Sequence, residues 1–250
     1  MAKWGAAAVN YHDALAAVGA SSAHPGGFES TRAWMKKVPI DSAATVLEVG
    51  CGTGRTACTI SKMYNATVIG VDIHPQMIAK ATSRAQAMRV PVTFMTVERG
   101  PLPFAKESMD VVVAESVTVF NDIAPMLSEY YRVLRPGGFV LDIEMSAAAR
   151  LPDHVLQIFR QTYGAVSVPT LRQWKTLYTD AQFVDVRMLL SGSVPDTPPR
   201  DASYDAYGLT SGETYSADLW RIMQENQQVM ATYAKWLHYG VILARKQPPQ

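Results

Sequence analysis

The stretch Val46-Leu-Glu-Val-Gly-Cys-Gly-Thr-Gly-Arg-Thr56 decides the fold of this chain. Val46, Leu47 and Val49 form the apolar run of a short strand, and three glycines follow at alternate positions. A helical pattern begins at Arg55. The stretch therefore predicts a strand, a tight turn and a helix, in which the main chain lies directly against a ligand and helix-start amides face it. Such a turn is typical of sites for nucleotide-like ligands.

The spacing of the glycines weakens two phosphate-binding interpretations. A dinucleotide turn carries Gly-x-Gly-x-x-Gly, whereas this turn reads Gly-x-Gly-x-Gly and has Arg55 in the last position of that pattern. A phosphate loop needs a lysine after its final glycine, and Arg55-Thr56 lacks it. Glu48 precedes the first glycine by two residues, where its charge would repel a pyrophosphate but attract an ammonium group.

With Glu48 included, the glycine turn resembles motif I of the class I S-adenosylmethionine-dependent methyltransferases. The cofactor of that family carries an amino-acid end, which matches the preference of Glu48 for an ammonium group. The resemblance implies that the turn contacts the cofactor through Glu48, Gly50, Cys51, Gly52 and Gly54.

An acidic residue ends the second predicted strand, Thr67-Val-Ile-Gly-Val-Asp72. Asp72 follows the glycines by about twenty residues, the offset at which a carboxylate accepts hydrogen bonds from both hydroxyls of a ribose. The alternative is a helix N-cap, because Pro75 suits a first helical position. In the family the residue after this acid packs on the adenine, which implies that role for Ile73.

The third predicted strand, residues 91–97, leads into Glu98-Arg-Gly-Pro-Leu-Pro-Phe104. This ending resembles the family's Asp-Ala-x-x-Leu-Pro-Phe segment and places Glu98 where an acid accepts from the adenine amino group. Glu98 is longer than aspartate, and Arg99 replaces a small residue, so both depart from the family pattern. The alternative is an exposed ion pair between Glu98 and Arg99, which contributes little.

The fourth predicted strand covers residues 108–115, and its end leads to the acceptor side, the part of the site where the methyl acceptor would bind. In an open parallel sheet the ligand crevice lies at the carboxyl ends of the strands where their order reverses. We therefore expect Glu115, Ser116, Thr118 and Asn121 to face the transferred methyl group. The alternative for Glu115 is a carboxylate bonded to loop amides. The segment lacks the Asn/Asp-Pro-Pro-Tyr/Phe signature of methyltransferases that modify nucleobase amines.

The N-terminal segment resembles the lid of small-molecule members of the family. Residues 3–18 favour a helix, residues 19–27 a glycine-rich loop, and Glu29–Val38 a second helix. The resemblance implies that Tyr11 and His24 approach the methyl group, so that His24, Glu115 and Tyr11 are the candidate catalytic residues. His12 is a further candidate base. Alternatively, His24 caps a helix or lies in solvent.

The rest of the chain alternates between helical and strand patterns and loosens after Glu144. We expect Trp220, Met223 and Trp236 to pack in a core. The predicted helices cover 55–64, 75–88, 122–134, a cap helix within 145–169, 171–181 after a capping box at Thr170–Gln173, and 215–237. The further predicted strands cover 139–143, 183–190 and 239–245, and residues 191–214 form a loop or lid.

The resemblance implies an α/β, Rossmann-like fold. It consists of a seven-stranded, mostly parallel sheet with helices on both faces and an antiparallel last strand. We expect a helical lid over residues 1–38 and a methyltransferase domain over 39–250, with cap insertions at about 145–170 and 191–237.

The composition excludes several other functional classes. Among 250 residues, 23 Lys and Arg against 22 Asp and Glu leave a net charge of +1, so no nucleic-acid partner is indicated. Cys51 and Cys58 lack the spacing of a zinc site or a disulfide framework. The N-terminus shows no signal-peptide core, and no window approaches a membrane span. These features predict a cytoplasmic protein without a metal site.

The predicted reaction is methyl transfer from S-adenosylmethionine to a small molecule by in-line displacement, leaving S-adenosylhomocysteine. Two rival classes stay open: a catalytically silent module that binds the same cofactor, and a nicotinamide-dependent oxidoreductase. The sequence leaves open the identity of the acceptor, whether its nitrogen, oxygen, sulfur or carbon is alkylated, and whether the protein is a monomer or a homodimer.

Overall fold

The computed structural model describes residues 10–194 and 217–249. Within them, helices flank a single sheet of seven strands. The strands are β1 (Thr45–Val49), β2 (Thr67–Asp72), β3 (Val92–Thr96), β4 (Met109–Glu115), β5 (Leu134–Ala147), β6 (Val184–Ser193) and β7 (Leu237–Arg245). The helices are α1 (Tyr11–Val18), α2 (Gly27–Met35), α3 (Arg55–Tyr64), α4 (Pro75–Met88), α5 (Ile123–Val133), α6 (Asp153–Tyr163), α7 (Leu171–Asp180) and α8 (Ala217–Tyr233), with 3-10 turns at Thr118–Phe120 and Ala234–Trp236.

The sheet has the strand order β3-β2-β1-β4-β5-β7-β6. Strands β1 to β5 pair in parallel, and β7 runs antiparallel to both of its neighbours. The chain moves outward from β1 to β3 and then returns to place β4 on the other side of β1. The order therefore reverses between β1 and β4, and a crevice opens at their carboxyl ends. The Rossmann-like fold with an antiparallel last strand is confirmed.

Two apolar cores lie on opposite faces of the sheet. Along β4, Val112 and Ala114 belong to one core and Val111 and Val113 to the other, because successive side chains of a strand point to opposite faces. This alternation explains why β4 reads as a nearly continuous apolar run. Strand β4 is therefore packed on both faces, and its carboxyl end lies at the crevice.

Most predicted elements agree with the observed ones within a few residues. The capping box of α7 is present: the Thr170 hydroxyl accepts from the Gln173 amide at 3.3 Å, and the Gln173 side chain accepts from the Thr170 amide at 2.8 Å. Strand β5 begins earlier than predicted, because Leu134 already pairs with Met109 of β4. The N-terminal part of the predicted first helix and most of the predicted lid at 191–214 lie outside the described residues.

The core assignment of Trp220 is wrong. This side chain is 57% exposed on α8. Met223 and Trp236 are half-buried, and Trp236 packs against the core on the α5 face of the sheet. Helix α8 has no fully buried residue, so the exposure of Trp220 agrees with that of the rest of the helix.

None of the helices in the described ranges has both the length and the apolar character that crossing a bilayer requires.

Candidate active site

The turn between β1 and α3 exposes its main chain to the crevice. Gly50, Gly52 and Gly54 have φ values of +66°, +51° and +73°. A Cβ at Gly54 would lie 2.6 Å from the Phe94 ring and 2.8 Å from the Cβ of Ala81, so this position admits only glycine. A Cβ at Gly52, by contrast, would meet no atom within 4 Å. The middle of the turn therefore faces open space.

Asp72 lies beside this turn at the end of β2. Its Oδ2 accepts a hydrogen bond from the Gly52 amide at 2.9 Å, and its Oδ1 accepts from the His74 amide at 2.8 Å. These two amides fix the orientation of the carboxylate, which retains lone pairs for further donors. Asp72 is not the N-cap of α4, because His74 occupies that position.

Glu48 is a buried acid on β1 beneath the turn. Its residue is 3% exposed, and its Oε2 has no hydrogen-bond partner within the described residues. Burial raises the pKa of Glu48 well above its usual range, and the nearby Glu115 charge adds to the effect. A buried oxygen without a donor is costly. The site therefore favours a ligand that brings a hydrogen-bond donor or a positive charge to Glu48.

These groups line one cavity with a volume of about 210 Å³. The glycine turn and the ends of β1 and β2 form one wall, and α1 with the loop after it forms another. The third wall follows β4 and consists of Ser116, Val117, Phe120, Asn121 and Met126. The cavity thus lies at the crevice where the strand order reverses.

Glu115, at the end of β4, is the centre of a cluster of side chains. Its Oε1 accepts from the Thr31 hydroxyl at 2.8 Å and from the Trp34 indole at 3.3 Å, and its Oε2 accepts from the Thr56 hydroxyl at 2.7 Å. The Nε2 of His24 lies 3.4 Å from Oε2. All of these partners of Glu115 are side chains, so the loop-amide alternative is wrong. The solvent alternative for His24 is also wrong, because that residue is only 9% exposed.

Residues 46–138 match a family model described as a methyltransferase domain. The matched range contains the glycine turn, Asp72 and Glu115. The chain is also 26% identical over 238 residues to the uncharacterized methyltransferase YodH of Bacillus subtilis (strain 168), covering 94% of this chain and 99% of that protein. These matches, together with the Rossmann-like sheet, support a class I S-adenosylmethionine-dependent methyltransferase.

Two further comparisons place this methyltransferase among known proteins. It is 25% identical over 162 residues to phosphoethanolamine N-methyltransferase 1 of Triticum aestivum. The aligned region covers 64% of this chain and 32% of that enzyme. Its fold matches phosphoethanolamine N-methyltransferase 2 of Haemonchus contortus, solved with phosphomonomethylethanolamine and S-adenosylhomocysteine, with a TM-score of 0.71 and 19% identity. That match covers 94% of this chain and 57% of the other.

Tyr11 and His12 begin α1 and line the cavity of the methyltransferase. The Tyr11 ring meets the Tyr163 ring edge-on at 5.2 Å, and burial raises the pKa of Tyr11. The Nε2 of His12 lies 3.1 Å from the Tyr163 carbonyl oxygen, and burial lowers the pKa of His12. Tyr11 is therefore a neutral hydroxyl and His12 a neutral imidazole near pH 7.

Of the remaining predicted cofactor contacts, all but Gly54 line the cavity; Gly54 packs against Phe94 and Ala81 instead. Ile73 is 41% exposed there, and Glu98 and Arg99 are exposed at its rim. Cys51 is buried in the turn, and burial raises the pKa of its thiol well above the usual range. The Cys51 side chain is thus an apolar wall rather than a reactive thiolate.

The prediction that Thr118 faces the transferred methyl group is wrong. Thr118 is fully buried, and its hydroxyl donates to Asp142 Oδ2 at 3.0 Å instead of facing the cavity. The residue belongs to the 3-10 turn after β4, which rotates its side chain away from the strand end. Ser116 and Asn121 do line the cavity.

Sequence reasoning missed the contacts that fasten α1 over the cavity. His74 Nε2 lies 2.9 Å from Asp13 Oδ1, and Lys80 Nζ donates to the Ala16 and Ala17 carbonyls at 2.8 and 3.0 Å. More than sixty residues separate the partners in each contact. No local pattern signals such pairs, apart from an acid early in α1 and a basic residue on α4.

Proposed function

We propose that this methyltransferase transfers a methyl group from S-adenosylmethionine to a small-molecule acceptor bound in the cavity. The observation that carries the proposal is the arrangement of two carboxylates around an open glycine turn. Asp72 is oriented by main-chain amides, and Glu48 has a buried oxygen without a partner in the described residues. Hydroxyls of a ribose and the ammonium group of a methionine end supply the donors that these two acids need.

The proposed cofactor contacts divide along the cavity. Asp72 accepts from the ribose hydroxyls, Ile73 packs on the adenine and Glu98 accepts from its amino group. Glu48 and the turn hold the methionine end. The full proposed set is Glu48, Gly50, Cys51, Gly52, Gly54, Asp72, Ile73, Glu98, Arg99 and Glu115.

Bound S-adenosylmethionine supplies an activated methyl group on a positively charged sulfur. The chain's own residues must then align the acceptor and exclude water. Alignment alone lowers a reaction barrier by about 7–11 kcal/mol, whereas a positioned base adds about 10²–10⁴-fold in rate. We propose that His24 takes the proton of an acceptor that must lose one, that Glu115 orients His24, and that Tyr11 donates a hydrogen bond to the acceptor.

Three observations support a small acceptor. The cavity has a volume of about 210 Å³ and lies beneath α1 and the loop that carries His24. The chain has a net charge of +1 and no basic run. The related wheat enzyme is a phosphoethanolamine N-methyltransferase. We accordingly propose that residues 1–38 form a lid and that the insertions at about 145–170 and 191–237 roof the acceptor.

The test uses S-adenosylmethionine labelled in its methyl group. The protein is incubated with the small-molecule filtrate or, separately, with the macromolecular fraction of a cell extract. We expect label in small molecules with the wild type and none with Asp72→Ala, while Asp180→Ala on the exposed end of α7 behaves as wild type. Label only in macromolecules would overturn the acceptor class. Cofactor binding without any transfer would favour the silent-module alternative.

A further inference from the structure

Two acids on β5 lie outside the cavity and are completely buried. Asp142 and Glu144 are both 0% exposed. They are two residues apart on a strand, so their side chains point to the same face. Their carboxyl groups are within hydrogen-bond reach of each other. Asp142 Oδ1 and Glu144 Oε2 are buried and accept no hydrogen bond from a donor within the described residues. Two ionised carboxylates can only accept, so a proton on one of these acids supplies the donor that the two buried oxygens lack.

The other oxygens of the pair hold the segment that follows β4. Glu144 Oε1 accepts from the amides of Val117 and Thr118 at 2.8 and 2.6 Å. Asp142 Oδ2 accepts from the Thr118 hydroxyl at 3.0 Å and from the Tyr178 hydroxyl of α7 at 2.6 Å. Each acid therefore has one oxygen that accepts from the segment and one buried oxygen without a donor in the described residues.

The held segment is the acceptor-side wall. Val117, Phe120 and Asn121 line the cavity, whereas Thr118 points down to the acid pair. The segment begins at Ser116, whose φ of +61° is unfavourable for a residue with a side chain. Such a conformation persists where surrounding contacts hold it. The two amide bonds to Glu144, directly after Ser116, are contacts of that kind.

We propose that Asp142 and Glu144 share one proton and act as positioning residues, holding residues 116–121 in the shape of the acceptor-side wall. The term acceptor-side rests on the proposed function. The shared proton and the held segment do not, and they can be tested without an acceptor.

The surroundings of the pair support a retained proton. Burial raises the pKa of Asp142 to about 7 and that of Glu144 well above its usual range. The titratable groups that face the pair are Tyr130 of α5, Tyr178 of α7 and Glu115 of β4. Burial also raises the pKa of both tyrosines, so they remain neutral donors. The negative charge of Glu115 further favours the protonated form of Asp142.

The proton also sets the sign of a pH dependence. Above the usual pKa range of carboxylic acids, the unfolded chain has lost both protons while the folded chain retains at least one. Because the folded state then binds more protons, its stability falls as pH rises, until the pH exceeds the folded pKa values. Glu144→Gln removes the shared proton, since the Gln amide donates permanently to Asp142 and its oxygen still accepts from the segment.

The first measurement is amide hydrogen exchange across residues 114–122, without ligands. Glu144→Leu keeps the volume but removes the acceptor, so we expect the Val117 and Thr118 amides to exchange at least about tenfold faster, the equivalent of one hydrogen bond. Glu144→Gln should retain wild-type exchange. Asp110→Asn, at the opposite end of β4, is the control and should leave this segment unchanged. Unchanged exchange in Glu144→Leu would overturn the positioning role.

The second measurement is the melting temperature from pH 5 to 9 of the wild type and Glu144→Gln. We expect the melting temperature of the wild type to fall relative to that of the variant as pH rises. Both proteins should bind S-adenosylhomocysteine with equal affinity. Parallel pH profiles would overturn the shared proton, and this outcome is readable even where Glu144→Leu fails to fold. Neither measurement depends on methyl transfer. Failure of the shared-proton proposal is therefore distinguishable from failure of the proposed function.

Discussion

The two sides of the cavity are built in different ways. On the side proposed for the cofactor, three glycines with positive φ shape the turn, and two main-chain amides fix Asp72. On the acceptor side, side chains hold one another: Glu115 accepts from Thr31 and Trp34, which are 84 and 81 residues away in the chain. A main-chain site tolerates change around it but not at its glycines or its acid. A side-chain site depends on the whole cluster.

The largest expected effect is on the cofactor side. Asp72→Ala removes the proposed bonds to two ribose hydroxyls and leaves the Gly52 and His74 amides without their acceptor. Bonds to a charged group are each worth about 1.5–3 kcal/mol, so we expect affinity for S-adenosylhomocysteine to fall about 1,000-fold in calorimetric titration. Asp180→Ala is the control. Undiminished affinity of Asp72→Ala would remove the basis of the comparison.

His24→Ala should separate the two sides. We expect turnover to fall about 100-fold, the size of effect a positioned base has, while affinity for S-adenosylhomocysteine stays within about threefold of wild type. The readouts are single-turnover kinetics and calorimetric titration of the same preparation. A parallel loss of turnover and affinity would mean that His24 belongs to the cofactor side.

Glu115→Gln should have a smaller effect that passes through His24. We expect turnover to fall about tenfold, because the neutral amide holds His24 and the Thr31 and Thr56 hydroxyls less firmly. In a double-mutant cycle the Glu115→Gln effect should nearly vanish when His24 is already alanine. Additive effects would show that the two residues act separately.

The same contrast explains how far the sequence predicts the structure. The glycine turn, Asp72 and helix α4 follow from local spacing, because their geometry is set by residues a few positions apart. The partners of Glu115 and the inward turn of Thr118 depend on contacts across the sheet, for which one sequence carries no signal. Residue type alone predicts a core position for Trp220, although α8 has no fully buried position.

The smallest expected effect concerns the fastening of α1. Asp13 also accepts from the Asn10 amide, and that bond together with His74 lowers the pKa of Asp13. A lowered folded pKa means that this stabilisation is present above the unfolded pKa and disappears as pH falls through the folded value. Since the pair is partly exposed, we expect Asp13→Asn to lower the melting temperature at pH 7 by about 1–3 °C. At acid pH the two proteins should melt alike, and a constant difference would contradict this account.

Ligand choice by the wild-type protein tests the central claim most directly. The protein is titrated calorimetrically with S-adenosylhomocysteine and, separately, with NAD⁺. The account predicts that S-adenosylhomocysteine binds at one site per chain and that NAD⁺ gives no binding heat, because a pyrophosphate would face Glu48 and a turn without the dinucleotide spacing. Binding of NAD⁺ together with no binding of S-adenosylhomocysteine would contradict it.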